Sequence, residues 1–325
     1  MGKVFAHTLA FSVQEVDLVA VADVDETAAR ETAKRCFIPQ AFNNYRAMLE
    51  SAAIDAVVIA APTAAHVEAV RNAASAGKHI FCEKPLAQTL AGCDEAISAA
   101  ESAGVKLMVG FMRRFDPAYA AAKQQIEAGA IGKPVIFKSV GRDPQRTSLE
   151  FARRENSGGL IMDMGIHDFD MARWLMMSEV ERVFSEGGCL VYPELNEVGD
   201  IDNAVINLKF TNGSLGNIDV SRNAVYGYDI RTEILGSEGG LMIGKMQQTA
   251  VLHLTRQGVW HDTVPYFMER FGEAYSEEIR SFARCIVDDL PLPVSGRDAR
   301  AATAIGVAAT MSLDEGRPVL VSEAG

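Results

Sequence analysis

The sequence predicts two domains: a doubly wound α/β domain over residues 1–111, then an α+β domain over 112–325 with a large open, mainly antiparallel sheet. Three observations lead there. Short, continuous apolar runs alternate with Ala-rich helical stretches through the first third of the chain. After residue 111 the apolar segments lengthen, mix polar with apolar positions and are separated by glycine turns. And 325 residues, 48% of them hydrophobic, suffice for two packed cores.

In the first domain the apolar runs are residues 16–23 (VDLVAVAD), 55–63 (DAVVIAAPT), 78–85 (KHIFCEKP) and 105–111 (VKLMVGF). They lack in/out alternation, as parallel strands buried on both faces do. Residues 25–36, 63–77 and 89–104 read as the intervening helices, and the stretch after Met1-Gly2 reads as the first helix. Asp25 and Thr89 are placed to cap helix starts, Gly77 and Gly104 to end them. In the second domain residues 132–143 open on a strand, and 165–177 (GIHDFDMARWLMM) read as an amphipathic helix. Residues 180–192, 202–222, 228–244 and 249–264 read as antiparallel meanders turned at Thr211-Asn212-Gly213 and Gly239-Gly240; two helices close the chain over 269–289 and 296–316.

A net charge of −12 without a Lys/Arg run argues against nucleic-acid binding. No apolar run is long enough for a bilayer and the N-terminus lacks signal-peptide features, so a cytoplasmic protein without a membrane partner is expected. The five scattered cysteines read as reduced thiols, with neither a disulfide frame nor a zinc site; no metal is expected.

Three places carry chemistry. Gly2, at the start of the first helix, is placed as the last glycine of a G-x-G-x-x-G turn, where pyrophosphate meets helix amides. The strand and two glycines of such a turn do not precede it, which reads as a start set too late, an omitted N-terminus or a truncation that holds NAD weakly. Asp23, some twenty residues on at a strand end, suits a ribose 2′-hydroxyl and would repel a 2′-phosphate, favouring NAD over NADP; its bland alternatives are a solvated strand-end carboxylate or a helix cap, for which Asp25 is better placed. Glu83-Lys84-Pro85 ends another strand, so Lys84 either stabilises a developing alkoxide or is a surface ion-pair partner. Asp163 and His167, four apart on a helix, pair a carboxylate with an imidazole that could act as general base; half of a metal site or a structural bridge are the alternatives.

Together with Asp163-x-x-x-His167-Asp168 and Glu83-Lys84-Pro85, the segments VADVD, AVVIAAPTAAHVE, GKHIFCEKPLA, VGFMRRFDPAY, GRDP, MDMGIHDFDMARWL and YGYDIRTEILGSEG resemble, in order and separation, the Gfo/Idh/MocA oxidoreductases over essentially the whole chain. The resemblance implies a Rossmann-type NAD-binding first domain, a second domain that binds substrate and supports oligomers, and NAD-dependent oxidation of a hydroxyl on a cyclic polyol such as an inositol, or a sugar. It assigns Lys84 to the reacting hydroxyl, His167 to its proton and Asp163 to orienting substrate or imidazole. It places Gly2, Asp23, Pro62, Thr63 and Glu83 along the cofactor, and Arg114, Arg142, Asp143 and Tyr228 in the substrate pocket. A homodimer or homotetramer is the implied assembly. Two other readings stay open here: a catalytically silent binding or regulatory protein of the same fold, and an NAD-dependent glycosidase that oxidises only transiently.

Overall fold

The computed structural model describes residues 1–50 and 54–325. The chain divides into two compact units, one of residues 1–115 and 273–300, the other of residues 116–272 and 301–325.

The first unit begins with helix α1 (Gly2–Phe11), strand β1 (Ala20–Ala22), α2 (Glu26–Cys36), β2 (Gln40–Phe42) and α3 (Tyr45–Leu49). It continues through β3 (Ala56–Ile59), α4 (His66–Ser75), β4 (His79–Glu83), α5 (Leu90–Ala103) and β5 (Leu107–Gly110). Its strands are parallel and form two sheets, β1-β2 and β3-β4-β5. The caps lie where the sequence puts them. Asp25 accepts from the amides of Thr27 and Ala28, Thr89 accepts from Gly92, and Gly104 ends α5 in the left-handed conformation. Strand β2 was not read from the sequence; at three residues it carries too little pattern to stand out. β4 and β5 are buried along nearly their whole length, as continuous apolar runs predict.

Residues 273–300 join this unit through an aromatic cluster. Phe5 meets Phe81 and Tyr275 edge-on at 5.4 and 6.1 Å, and Phe81 meets Phe282 at 5.8 Å. The segment belongs to two long helices, α10 (Phe267–Val287) and α11 (Gly296–Glu315), within which the chain passes between the units.

The second unit holds α6 (Pro117–Glu127), β6 (Pro134–Arg142), short helices α7 (Leu149–Ala152) and α8 (Arg154–Ser157), α9 (Ile166–Met176), β7 (Val180–Gly188), β8 (Asn203–Phe210) and β9 (Leu215–Ser221). β10 (Asp229–Gly236), β11 (Gly240–Ile243), the hairpin β12 (His253–Thr255) and β13 (Gly258–Trp260), and β14 (Val319–Leu320) follow. Seven strands make one sheet in the order β11-β10-β6-β9-β8-β7-β14. Every neighbouring pair is antiparallel except β6 and β9, which run parallel because the chain between them crosses over through α9 and the β7-β8 pair. β8 alternates buried and exposed residues, the mark of a sheet with one open face.

The helix read as amphipathic, α9, is buried around most of its circumference, Asp168 and Asp170 included. Asp168 is accommodated because Ser139 of β6 donates to it at 2.5 Å. Gly141 leaves the space, since a β-carbon there would lie 2.9 Å from the Asp168 carboxylate.

Candidate active site

In the first unit, the residues singled out cluster at the carboxyl ends of parallel strands, where open α/β sheets bind ligands. Asp23 follows β1, and its carboxylate accepts the Asp25 amide at 3.0 Å. Asp25 itself caps α2, so Asp23 is not the cap, and among the described residues no cation pairs with it. Pro62 and Thr63 follow β3 and form a tight turn in which the Ala65 amide donates to the Pro62 carbonyl at 2.8 Å. Glu83 ends β4, buried, and accepts the Lys84 amide at 3.0 Å. Burial pushes its carboxyl up to about 7, against the pull of Lys84.

One contributor to this region carries no predicted role. His66, 1% exposed, sits between the Pro85 carbonyl at 2.8 Å and the Ala61 carbonyl at 2.9 Å, tying the loop after β4 to the end of β3. Burial first, and then the Lys84 charge, push its imidazole toward the neutral form, while the two carbonyls oppose this. The ring braces the backbone from which both Lys84 and Pro62 project.

The features needed for a dinucleotide are compatible with these residues. A β-carbon at Gly2 would meet nothing within 4 Å, so backbone there is open to close approach. The first turn of α1 has no acidic residue and no side-chain cap, leaving the Gly2 and Lys3 amides to an anion, while the Val4 amide donates to the Met1 carbonyl at 2.8 Å. Asp23 keeps a carboxylate oxygen available for a ribose diol.

Arg114 also belongs to the first unit. It is buried, donating to the Pro293 carbonyl at 3.0 Å and to Asp298 at 3.1 Å.

The second unit gathers its residues at one end of the seven-stranded sheet, and topology does the gathering. Parallel pairing of β6 with β9 sets Arg142 opposite Ser221, so Asp143 and Arg222 leave the sheet side by side. Antiparallel pairing of β10 with β6 brings Tyr228, just before β10, to the same end. The pairing of β8 with β9 brings Asp200 and Asp202, just before β8. Asp163 lies in a π-helical turn, Ile161–Gly165, that leads into α9, and His167 is the second residue of that helix. Such single π turns often mark functional positions. Arg222 donates to Asp163 at 3.2 Å.

Arg142 is engaged by Asp219, with Nε donating at 3.1 Å, and by the Tyr226 hydroxyl at 3.0 Å; the Asp219 bond holds its guanidinium firmly charged. Tyr228 is 7% exposed and stacks edge-on with Tyr266 at 5.8 Å. Tyr266 is a residue the sequence did not single out. Its phenol is pushed up by burial and then by the Asp143 and Asp163 carboxylates, with Arg222 opposing. Nothing in the run VPYFMERF distinguishes this tyrosine from a core ring, so only the fold reveals it. Arg222 had a faint signal: a lone arginine directly after an alternating strand.

A parallel-stranded nucleotide-type unit and a unit built on a seven-stranded mixed sheet, with Asp163, Arg222 and Tyr228 brought to one sheet end, make the plan of a two-domain nucleotide-dependent enzyme. The chain belongs to the Gfo/Idh/MocA family: the family's NAD-binding Rossmann-fold domain matches residues 1–111, and its C-terminal domain matches residues 119–242. It is 40% identical to myo-inositol 2-dehydrogenase of Thermotoga maritima over 99% of this chain and 96% of that relative. It is 39% identical to scyllo-inositol 2-dehydrogenase (NAD(+)) of Bacillus subtilis, over 98% of this chain and 93% of that one. Among solved structures, scyllo-inositol dehydrogenase from Lactobacillus casei with bound NAD(H) and scyllo-inositol superposes with a TM-score of 0.94 at 30% identity, covering 99% of this chain and 96% of that one. These relatives favour a dehydrogenase over a silent binding protein or a glycosidase. No helix among the described residues is long and apolar enough to cross a membrane.

Proposed function

We propose that the protein oxidises a ring hydroxyl of an inositol to the ketone with NAD⁺. The observation that carries this is similarity to inositol dehydrogenases over nearly the full chain, in a chain that retains Lys84, Asp163 and His167 together. Residues 1–111 hold the cofactor, through Gly2, Asp23, Pro62, Thr63 and Glu83, and residues 112–325 hold the polyol. When bound, NAD⁺ supplies the nicotinamide ring that accepts the hydride.

The chain's own residues do the rest. His167 Nε2 takes the hydroxyl proton as general base, and Asp163 orients the polyol or the imidazole and favours the imidazolium that forms. The Lys84 ammonium stabilises charge developing on the same oxygen. Arg114, Arg142, Asp143, Tyr228 and Tyr266 provide donors, acceptors and a ring face for the remaining hydroxyls. Much of the rate comes from holding two reactants in register.

Following absorbance at 340 nm with NAD⁺, myo-inositol, scyllo-inositol and a panel of sugars tests the reading. Net NADH formation with a free inositol is expected; a folded, NAD-binding protein silent on every polyol overturns it. Asp23→Ala separately tests the cofactor half. Loss of charge-assisted bonds to the ribose weakens NAD⁺ binding roughly 10- to 100-fold and narrows the preference over NADP⁺, read by calorimetry.

The same reading places the protein in the cytoplasm as a homodimer or homotetramer assembled through the open sheet face. Val205, Leu215, Leu235 and Met242 of the sheet are exposed there. Sedimentation at micromolar concentration checks it; a monomer would remove the assembly.

A further inference from the structure

We propose that Arg222 is a positioning residue for this reaction: it holds Asp163 in place and ionised, while Asp200, on the same guanidinium, sets how strongly it does so. The proposal rests on the reading that Asp163 and His167 act on the substrate.

Arg222 is 1% exposed at the end of β9, its amide fixed to the Asp202 carbonyl at 2.9 Å. Its Nη2 lies 3.2 Å from Asp163 Oδ2 and 3.8 Å from Asp200 Oδ2. Arg222 Nε and Asp200 Oδ2 are both buried without a hydrogen-bond partner among the described residues. One cation therefore serves two carboxylates, closer to Asp163 than to Asp200. A guanidinium is costly to bury and is retained where its planar fork has charges to organise.

The other Asp200 oxygen accepts the Leu160 amide at 2.8 Å, at the entrance to the π turn. Gly159, at φ +78°, makes this approach possible, since a β-carbon there would come within 2.8 Å of that oxygen. The turn carrying Asp163 is thus pinned at its start by Asp200 and at Asp163 by Arg222.

The surrounding charges explain why this matters chemically. Tyr266 feels the charges of Asp143, Asp163 and Arg222, and His167 lies four residues beyond Asp163, in α9. Arg154, the other cation acting on Asp200, is itself paired with Asp314 at 2.8 Å. Burial, and after it the Asp163 charge, favours the protonated form of Asp200, while the Leu160 and Ile201 amides and Arg222 oppose this. With Arg222 removed, part-buried Asp163 and buried Asp200 lose the cation they share, which disfavours ionisation of both together. A protonated Asp163 no longer supports the imidazolium that His167 becomes.

The test is a pH–rate profile with NAD⁺ and myo-inositol for the parent chain, Arg222→Gln, Arg222→Lys and Asp200→Asn. Arg222→Gln is expected to lower kcat roughly 10- to 100-fold and to move the acidic limb up by about one unit or more, with KM for NAD⁺ unchanged. Arg222→Lys restores part of both. Asp200→Asn keeps an acceptor for Leu160 but releases the guanidinium to Asp163, so its acidic limb moves down. Opposite shifts in the two variants are a signature that lost packing does not produce.

Carbon-13 NMR titration of the Asp163 carboxyl gives the same readout without turnover, and Arg222→Lys with Asp200→Asn carry the test if Arg222→Gln fails to fold. Limbs and titrations that stay put, or shift in one direction together, overturn the proposal. Asp163→Asn and His167→Ala run alongside. Full turnover in those two removes the reading of the site itself, whereas impaired turnover there with unmoved limbs removes only the role of Arg222.

Discussion

Replacing His167 by Ala is expected to lower inositol turnover by roughly 10²- to 10⁴-fold while leaving NAD⁺ affinity as in the parent chain. Lys84→Ala should fall in the same range, because each residue is proposed to act on the reacting oxygen and neither is assigned to the ribose or pyrophosphate. The loss belongs in kcat more than in KM, since proton acceptance and alkoxide stabilisation are strongest in the transition state. Steady-state kinetics at saturating NAD⁺, with calorimetry for the cofactor, separates the effects. If both variants keep parental kcat, the assigned roles are wrong. The double variant should cost less than the product of the two, because residues on one proton-transfer event act as a unit.

The largest pH effect on stability is expected from two buried carboxyls of the first unit. Glu278 of α10 is fully buried with neither carboxylate oxygen hydrogen-bonded among the described residues, and Glu83 lies close enough to repel it. Burial raises both above the usual carboxylate range, Glu83 to about 7. The folded protein thus binds more protons than the unfolded chain between pH 4.5 and about 7. Stability therefore falls as pH rises across that window and through the folded value. For Glu83 alone the loss amounts to about 3 kcal/mol. Glu278→Gln removes one charge of the pair, so the slope from pH 5 to 8 should flatten and the variant should gain stability at pH 8. Urea denaturation at four pH values checks this. A variant as pH-sensitive as the parent would show that the pair is relieved in another way.

Much of the fold was legible because local rules and tertiary demands agree. Asp25, Thr89 and Gly104 cap the helices they were assigned to, since a capping side chain or a positive φ acts within a few residues. All four continuous apolar runs became parallel strands, but only β4 and β5 are buried on both faces; β3 alternates buried with part-exposed residues and β1 is part-exposed throughout. β2 escaped notice because three residues carry no period, and α9 looked amphipathic because its buried polar residues, Asp168 and Asp170, mimic a solvated face.

Of the proposed site, the residues on strand ends and in a spaced motif stood out: Asp23, Lys84, Asp163 and His167. His66, Arg222 and Tyr266 did not, as each acquires its importance from partners far away in sequence. Arg222 is 59 residues from Asp163, and His66 is 19 from the Pro85 carbonyl it holds.

By itself, then, the sequence determined the α/β plus α+β plan, the rough bounds of the longer helices except α6, and the residue types available for hydride-transfer chemistry, because propensity, capping and hydrophobic period are short-range properties. Only the tertiary structure decided which of those residues meet. The parallel pairing of β6 with β9 sets Asp143 beside Arg222, the π turn presents Asp163 to that guanidinium, and helix α10 sends Glu278 into the buried neighbourhood of Glu83. Strand register and crossover direction are settled by burial of the whole sheet face, a free energy that no single segment contains.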